Sequence, residues 1–85
     1  MPPVKKNTHR HVWINGRQMT VIYAKVKKND PGILVMGTDV FGQLGGFRVG
    51  AEYDIKLSEE ECCRGELISI WKAPQTERWE FQLLE

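Results

Sequence analysis

A chain of 85 residues with 41% hydrophobic content has room for one modest core, which excludes a multidomain enzyme and a disordered polymer alike. No apolar run exceeds four residues, so no segment reads as a helix that spans a bilayer. The net charge of +1 hides an asymmetry: residues 1–48 hold eight basic against two acidic side chains, and residues 49–85 hold four against nine.

The first eight residues, with two prolines and the pair Lys5-Lys6, show no periodicity and read as a flexible arm ahead of a single domain over 9–85. They also lack the apolar stretch of a signal peptide, so a cytoplasmic setting is expected. From Arg10 the pattern alternates. Val12 and Ile14 interleave with His11 and Trp13, and beyond Asn15-Gly16 Met19, Val21 and Tyr23 interleave with Thr20 and Ile22. Asn-Gly between alternating segments predicts a two-residue type I′ hairpin, because both central positions need positive φ. The register that follows sets Ile14 against Arg17, Trp13 against Gln18, Val12 against Met19 and His11 against Thr20. Val12, Ile14, Met19, Val21 and Tyr23 then form the core side. Farther on, Ala24 and Val26 alternate with Lys25 and Lys27, so the apolar side changes over around Tyr23-Ala24, as a bend or bulge requires.

Asn29-Asp30-Pro31-Gly32 reads as a turn, residues 33–36 as a buried strand, and 37–46 as a flexible glycine-rich loop bearing Phe41. A long alternating strand is expected over 47–57, with Gly50 marking a bend. Ser58-Glu59-Glu60-Glu61 fits a capping box, which predicts a short helix near 59–64 that Gly65 stops. A last hairpin follows, turning at Ala73-Pro74-Gln75-Thr76. The expected class is mainly β. Five or six strands and one short helix make a strongly bent antiparallel sheet or partly open barrel, of oligonucleotide-binding or SH3-like type.

Catalytic signatures are missing from this sequence. Ser58 is explained as a cap and Ser69 as a strand residue, and no phosphate-cradling loop precedes a helix. Cys62 and Cys63 are adjacent, which strains any bridge between them and makes a disulfide scaffold untenable. They also sit too close together to complete a zinc site with His9 and His11. No cofactor is implied, and the expectation is a non-catalytic binding domain.

Single-stranded nucleic acid is held by cations on the phosphates and aromatic rings under the bases. The N-terminal hairpin offers such a face: His11, Trp13 and Thr20, bordered by Arg10, Arg17, Lys27 and Lys28. Lys5 and Lys6 lie within reach, and Phe41 supplies a second ring. The alternative is association with another protein or with a second copy, through a sheet edge or the acidic C-terminal half.

Overall fold

Asn15 and Gly16 take φ values of 52° and 82°, the left-handed pair that a type I′ turn demands. The computed structural model describes residues 9–84, so the expected arm over 1–8 lies outside the described residues. The turn joins β1 (Arg10–Ile14) to β2 (Arg17–Val21), in the register the alternation predicts, Ile14 opposite Arg17 through His11 opposite Thr20. Asn15 does more than bend the chain. Its Oδ1 accepts from the Asp54 amide at 2.8 Å, and its own amide donates to the Asp54 carbonyl at 2.7 Å. The turn thereby continues the ladder onto the strand containing Asp54.

Only Ile22 separates β2 from β3 (Tyr23–Lys27), yet the two strands pair with different partners. β3 runs antiparallel to β4 (Asp30–Thr38), Tyr23 opposite Gly37, and the Ile22 amide donates to the Gly37 carbonyl at 2.7 Å. The side of the chain that faces the core changes at Ile22, one residue before the expected place. Val21 and Ala24 both face inward, and Tyr23 lies on the outer side with Lys25 and Lys27, not in the core face expected for it. The turn between β3 and β4 is Lys28-Asn29, earlier than the expected Asn29–Gly32.

Three more strands complete one antiparallel sheet: β5 (Glu52–Ser58), β6 (Glu61–Lys72) and β7 (Glu77–Leu83), in the order β2-β1-β5-β6-β7-β4-β3. The sheet is not closed by a ladder between its outer strands. Those strands are nevertheless joined through one residue, which spans less than ~4 Å, so the sheet has to coil until its two ends meet. The inner face buries Val12, Ile14, Met19, Leu34, Met36, Ile55, Leu67, Trp79 and Phe81. Trp79 and Phe81 are fully buried, each removal from water contributing about 1.5–3 kcal/mol.

The mainly-β expectation stands, with seven strands where five or six were expected. No helix forms near 59–64. Glu59-Glu60 is a tight turn from β5 into β6, and the Ser58 hydroxyl accepts from the Glu60 amide at 3.3 Å. A helix of two turns is marginal by itself. As a strand, the same residues pair with β5 on one side and, from Gly65 on, with β7 on the other. The expected strand over 47–57 is shorter, because Gly50 at φ 99° breaks it and leaves Val49 exposed. A bulge at Ile68 shifts the β6–β7 register, and Ile70 consequently packs on the core while Trp71 faces outward.

Candidate nucleic-acid interface

Where the coiled sheet's ends meet, the loop after β4 covers the seam. Gln43 bonds both backbone groups of Thr20, and Thr38 Oγ1 donates to the Thr20 carbonyl at 2.7 Å. Leu44 is buried beneath the loop, and Arg17 reaches the Gly45 carbonyl at 3.3 Å while its guanidinium lies 4.7 Å from the Phe47 ring centroid. Phe47 in turn stacks on Tyr53 at 4.5 Å. The loop expected to be flexible is therefore pinned at several points. Arg17 and Thr20, expected to touch a ligand, are engaged in holding it, and Phe41 alone of its aromatics stands exposed.

The outer face of β1 carries an exposed His11 and a half-buried Trp13, while Arg10, exposed at the start of the strand, alternates with them on the side of Val12 and Ile14. Trp13 lies opposite Lys56 of β5, which lies opposite Cys62 of β6, and the Lys56 ammonium is 5.7 Å from the Trp13 ring centroid. These residues line a cleft of about 590 Å³ with Leu84 and Arg64. Its charges are largely answered locally. Arg64 bridges Asp54 at 2.9 Å and Glu52 at 3.2 Å, and Lys56 approaches Glu59 at 3.9 Å.

A different part of the outer surface joins aromatic rings to cations that outnumber the carboxylates beside them. The pairings Trp71–Arg78, Arg78–Gly37 and Gly37–Tyr23 define one row across β6, β7, β4 and β3. Arg78 stands 5.2 Å from the Trp71 ring centroid, and the Lys25 ammonium 5.2 Å from that of Tyr23. Trp71 is 50% exposed. Gly37 has no side chain to fill its place in the row, and the Tyr23 ring lies over it: a Cβ built there would fall 2.7 Å from the tyrosine hydroxyl. Beside the row a shallow cleft of about 350 Å³ is lined by Lys25, Lys27, Lys28 and Glu80. Glu80 is the carboxylate within it, 3.7 Å from Arg78 Nε and 3.9 Å from Lys27 Nζ.

The expected site residues thus divide. Arg10, His11 and Trp13 share β1, whereas Arg17, Thr20 and Phe41 belong to the loop seam. Lys27 and Lys28 stand at the β3–β4 turn. Lys5 and Lys6 lie outside the described residues. Sequence reasoning missed Tyr23, Lys25, Gly37, Trp71 and Arg78 as partners on one surface. Their meeting depends on three strand registers and two parity changes, of which the alternation announces only the one beside Tyr23, displaced by a residue.

His9 is engaged with Asp39, Nε2 to Oδ1 at 2.8 Å, and among the described residues no three His, Cys, Asp or Glu side chains cluster in a way that would hold a metal ion. Among the described residues no helix is long and apolar enough to cross a membrane. Comparison with known proteins finds no matching family model, no similar curated protein and no similar solved structure.

Proposed function

We propose that this chain is a non-catalytic domain that binds single-stranded nucleic acid, through the outer face of β3, β4, β7 and β6. The observation that carries the reading is the row Trp71–Arg78–Tyr23 with Lys25 at its end and Lys27 and Lys28 alongside. It combines the two elements such ligands require, rings for bases and cations for phosphates. The coiled, partly open sheet suits the barrel types that present a curved β surface to oligonucleotides. On the N-terminal hairpin Arg17 and Thr20 are occupied, and both cations beside Trp13, Lys56 and Arg64, face carboxylates. The single Glu80 of the row, by contrast, meets Arg78 and Lys27 and leaves Lys25 and Lys28 outside any ion pair among the described residues.

The test is an NMR titration of the full chain with an oligothymidylate of about 12 nucleotides, repeated between about 50 and 200 mM salt. Shifts should concentrate on Tyr23, Lys25, Arg78 and the Trp71 indole. If four cations meet phosphates, log K should fall against log salt with a slope near −3, at about 0.7 per phosphate. Neutralising Lys27 and Lys28 together should flatten that slope by about 1.4. Absence of shifts at the lowest salt rejects the reading.

A second reading has its own support in the cleft walled by Trp13 and Leu84, whose charges are paired within the protein. Such a surface suits association with another protein or a second copy of this chain. Light scattering tests self-association: a dimer mass that Trp13→Ala returns to monomer supports it, and a monomer at every concentration rejects it.

A further inference from the structure

Resting on the nucleic-acid reading, we infer that the row selects an unstacked, extended strand over a duplex, and that Gly37 sets this selectivity by laying the Tyr23 ring flat. Strands in a sheet lie about 4.8 Å apart, so Trp71 on β6 and the Tyr23 backbone on β3 are separated by about 14 Å. The Tyr23 ring leans back over Gly37 on the neighbouring strand, which brings it to about two strand steps, or about 10 Å, from Trp71. Arg78 lies between the two positions, paired with Trp71 on one side and Gly37 on the other. Its Nε faces Glu80 at 3.7 Å, and that contact leaves its two terminal nitrogens to donate to a phosphate.

Successive bases within a stacked strand lie about 3.4 Å apart, each covered by its neighbours. Two rings about 10 Å apart meet base faces only if the bases are splayed from one another. The backbone between those bases then crosses Arg78. A duplex keeps its base faces buried and offers this surface phosphates alone, so it is held by charge without stacking. Any residue larger than glycine at position 37 would occupy the space of the Tyr23 ring, whose outer end would have to move aside. Gly37 is therefore a positioning residue: it acts through Tyr23 and touches no base.

The test compares the full chain with Gly37→Ala, Trp71→Ala and Tyr23→Leu, each checked for a native amide spectrum. The probes are an oligothymidylate and a duplex of equal length. The unmodified protein should prefer the unpaired strand by about tenfold or more, and each substitution should remove most of that preference while duplex binding stays within about twofold. Tyr23→Leu keeps the inference testable if Gly37→Ala fails to fold. Equal affinity for the two probes overturns the inference while leaving the nucleic-acid reading intact, and so does an unchanged preference in Trp71→Ala and Tyr23→Leu. No binding of either probe at low salt overturns both.

Discussion

The side-chain amide of Gln43 takes the place of a missing strand beside Thr20: its Oε1 accepts from the Thr20 amide at 2.7 Å and its Nε2 donates to the Thr20 carbonyl at 2.8 Å. The same Nε2 also lies within hydrogen-bond distance of Thr38 Oγ1 and the Val40 carbonyl, at 3.2 and 3.0 Å. The pairing sits where the outer edge of β2 turns toward β4, and a half-buried backbone amide there without a partner would be costly. A curled sheet whose ends meet without a full ladder needs some group to satisfy the leftover edge. Gln43 does so here, with the Thr38 hydroxyl as a second donor to the Thr20 carbonyl.

Gln43→Ala should accordingly lower stability by about 1–3 kcal/mol, the cost of leaving the part-buried Thr20 amide unsatisfied while its carbonyl keeps the Thr38 hydroxyl. Urea unfolding monitored by Trp fluorescence gives the value. The amide of Thr20 should also lose its protection from hydrogen exchange, whereas Val12 and Met19, paired with each other across β1 and β2, should keep theirs. Protection unchanged at Thr20 would mean that other groups fill the place of Gln43.

At Gly65 the local sequence pattern and the fold disagree. The local pattern assigns it to the end of a helix; in the fold it lies buried within β6. A Cβ on it would stand 3.1 Å from Phe81 Cβ and 3.3 Å from the Gln82 carbonyl oxygen. Gly65→Ala should therefore cost about 1–3 kcal/mol through overpacking between β6 and β7. An exposed helix-terminal glycine would tolerate alanine at far lower cost, so thermal unfolding of this variant separates the two environments.

The contrast with Asn15-Gly16 is physical. Positive φ at two consecutive residues is a requirement those residues meet by themselves, so the turn and its register are legible locally. The strand over Glu61–Glu66 is stabilised by partners more distant in sequence, and nothing in Ser58-Glu59-Glu60-Glu61 distinguishes a cap from a tight turn. The outer row is harder still. Tyr23 faces outward because the chain changes partners at Ile22, and Trp71 faces outward because of the bulge at Ile68. Alternation counted from either end without those shifts puts both rings on the wrong side. Trp13 was correctly kept off the inner face, but the carboxylates around it come from β5 and its turn, which pair with β1 across long stretches of sequence.

The two adjacent cysteines should differ in reactivity. Cys62 is exposed on the outer side of β6, whereas Cys63 faces the core. Burial pushes the Cys63 thiol above its ordinary value, and the neighbouring Cys62 and Glu61 charges add to the effect. Since the thiolate is the reacting form, a disulfide reagent near neutral pH should modify the protein in two phases, the fast one at Cys62 by about tenfold or more. Peptide mass spectrometry assigns the phases. Cys62→Ser should abolish the fast phase alone, and equal rates for both thiols would contradict the burial of Cys63.

Asp39 gives a pH-dependent test of the contact that fastens the start of the loop to the residue before β1. The hydrogen bond from His9 holds the Asp39 carboxyl below its ordinary value; desolvation opposes it, and the nearby His9 charge and a backbone hydrogen bond add smaller lowering effects. A carboxyl whose folded pKa is depressed contributes stability that is fully present above its unfolded value, about 3.9, and is lost as pH falls through the lower folded value. The acid side of the titration is therefore the informative one. Because Asp39 is exposed, the contribution is screened and the effect is best read at the residue itself. A carbon-detected titration should find its carboxyl midpoint below the ordinary aspartate value, and His9→Ala should move it back up. An Asp39 midpoint that His9→Ala leaves unchanged would show that the contact does not persist in solution.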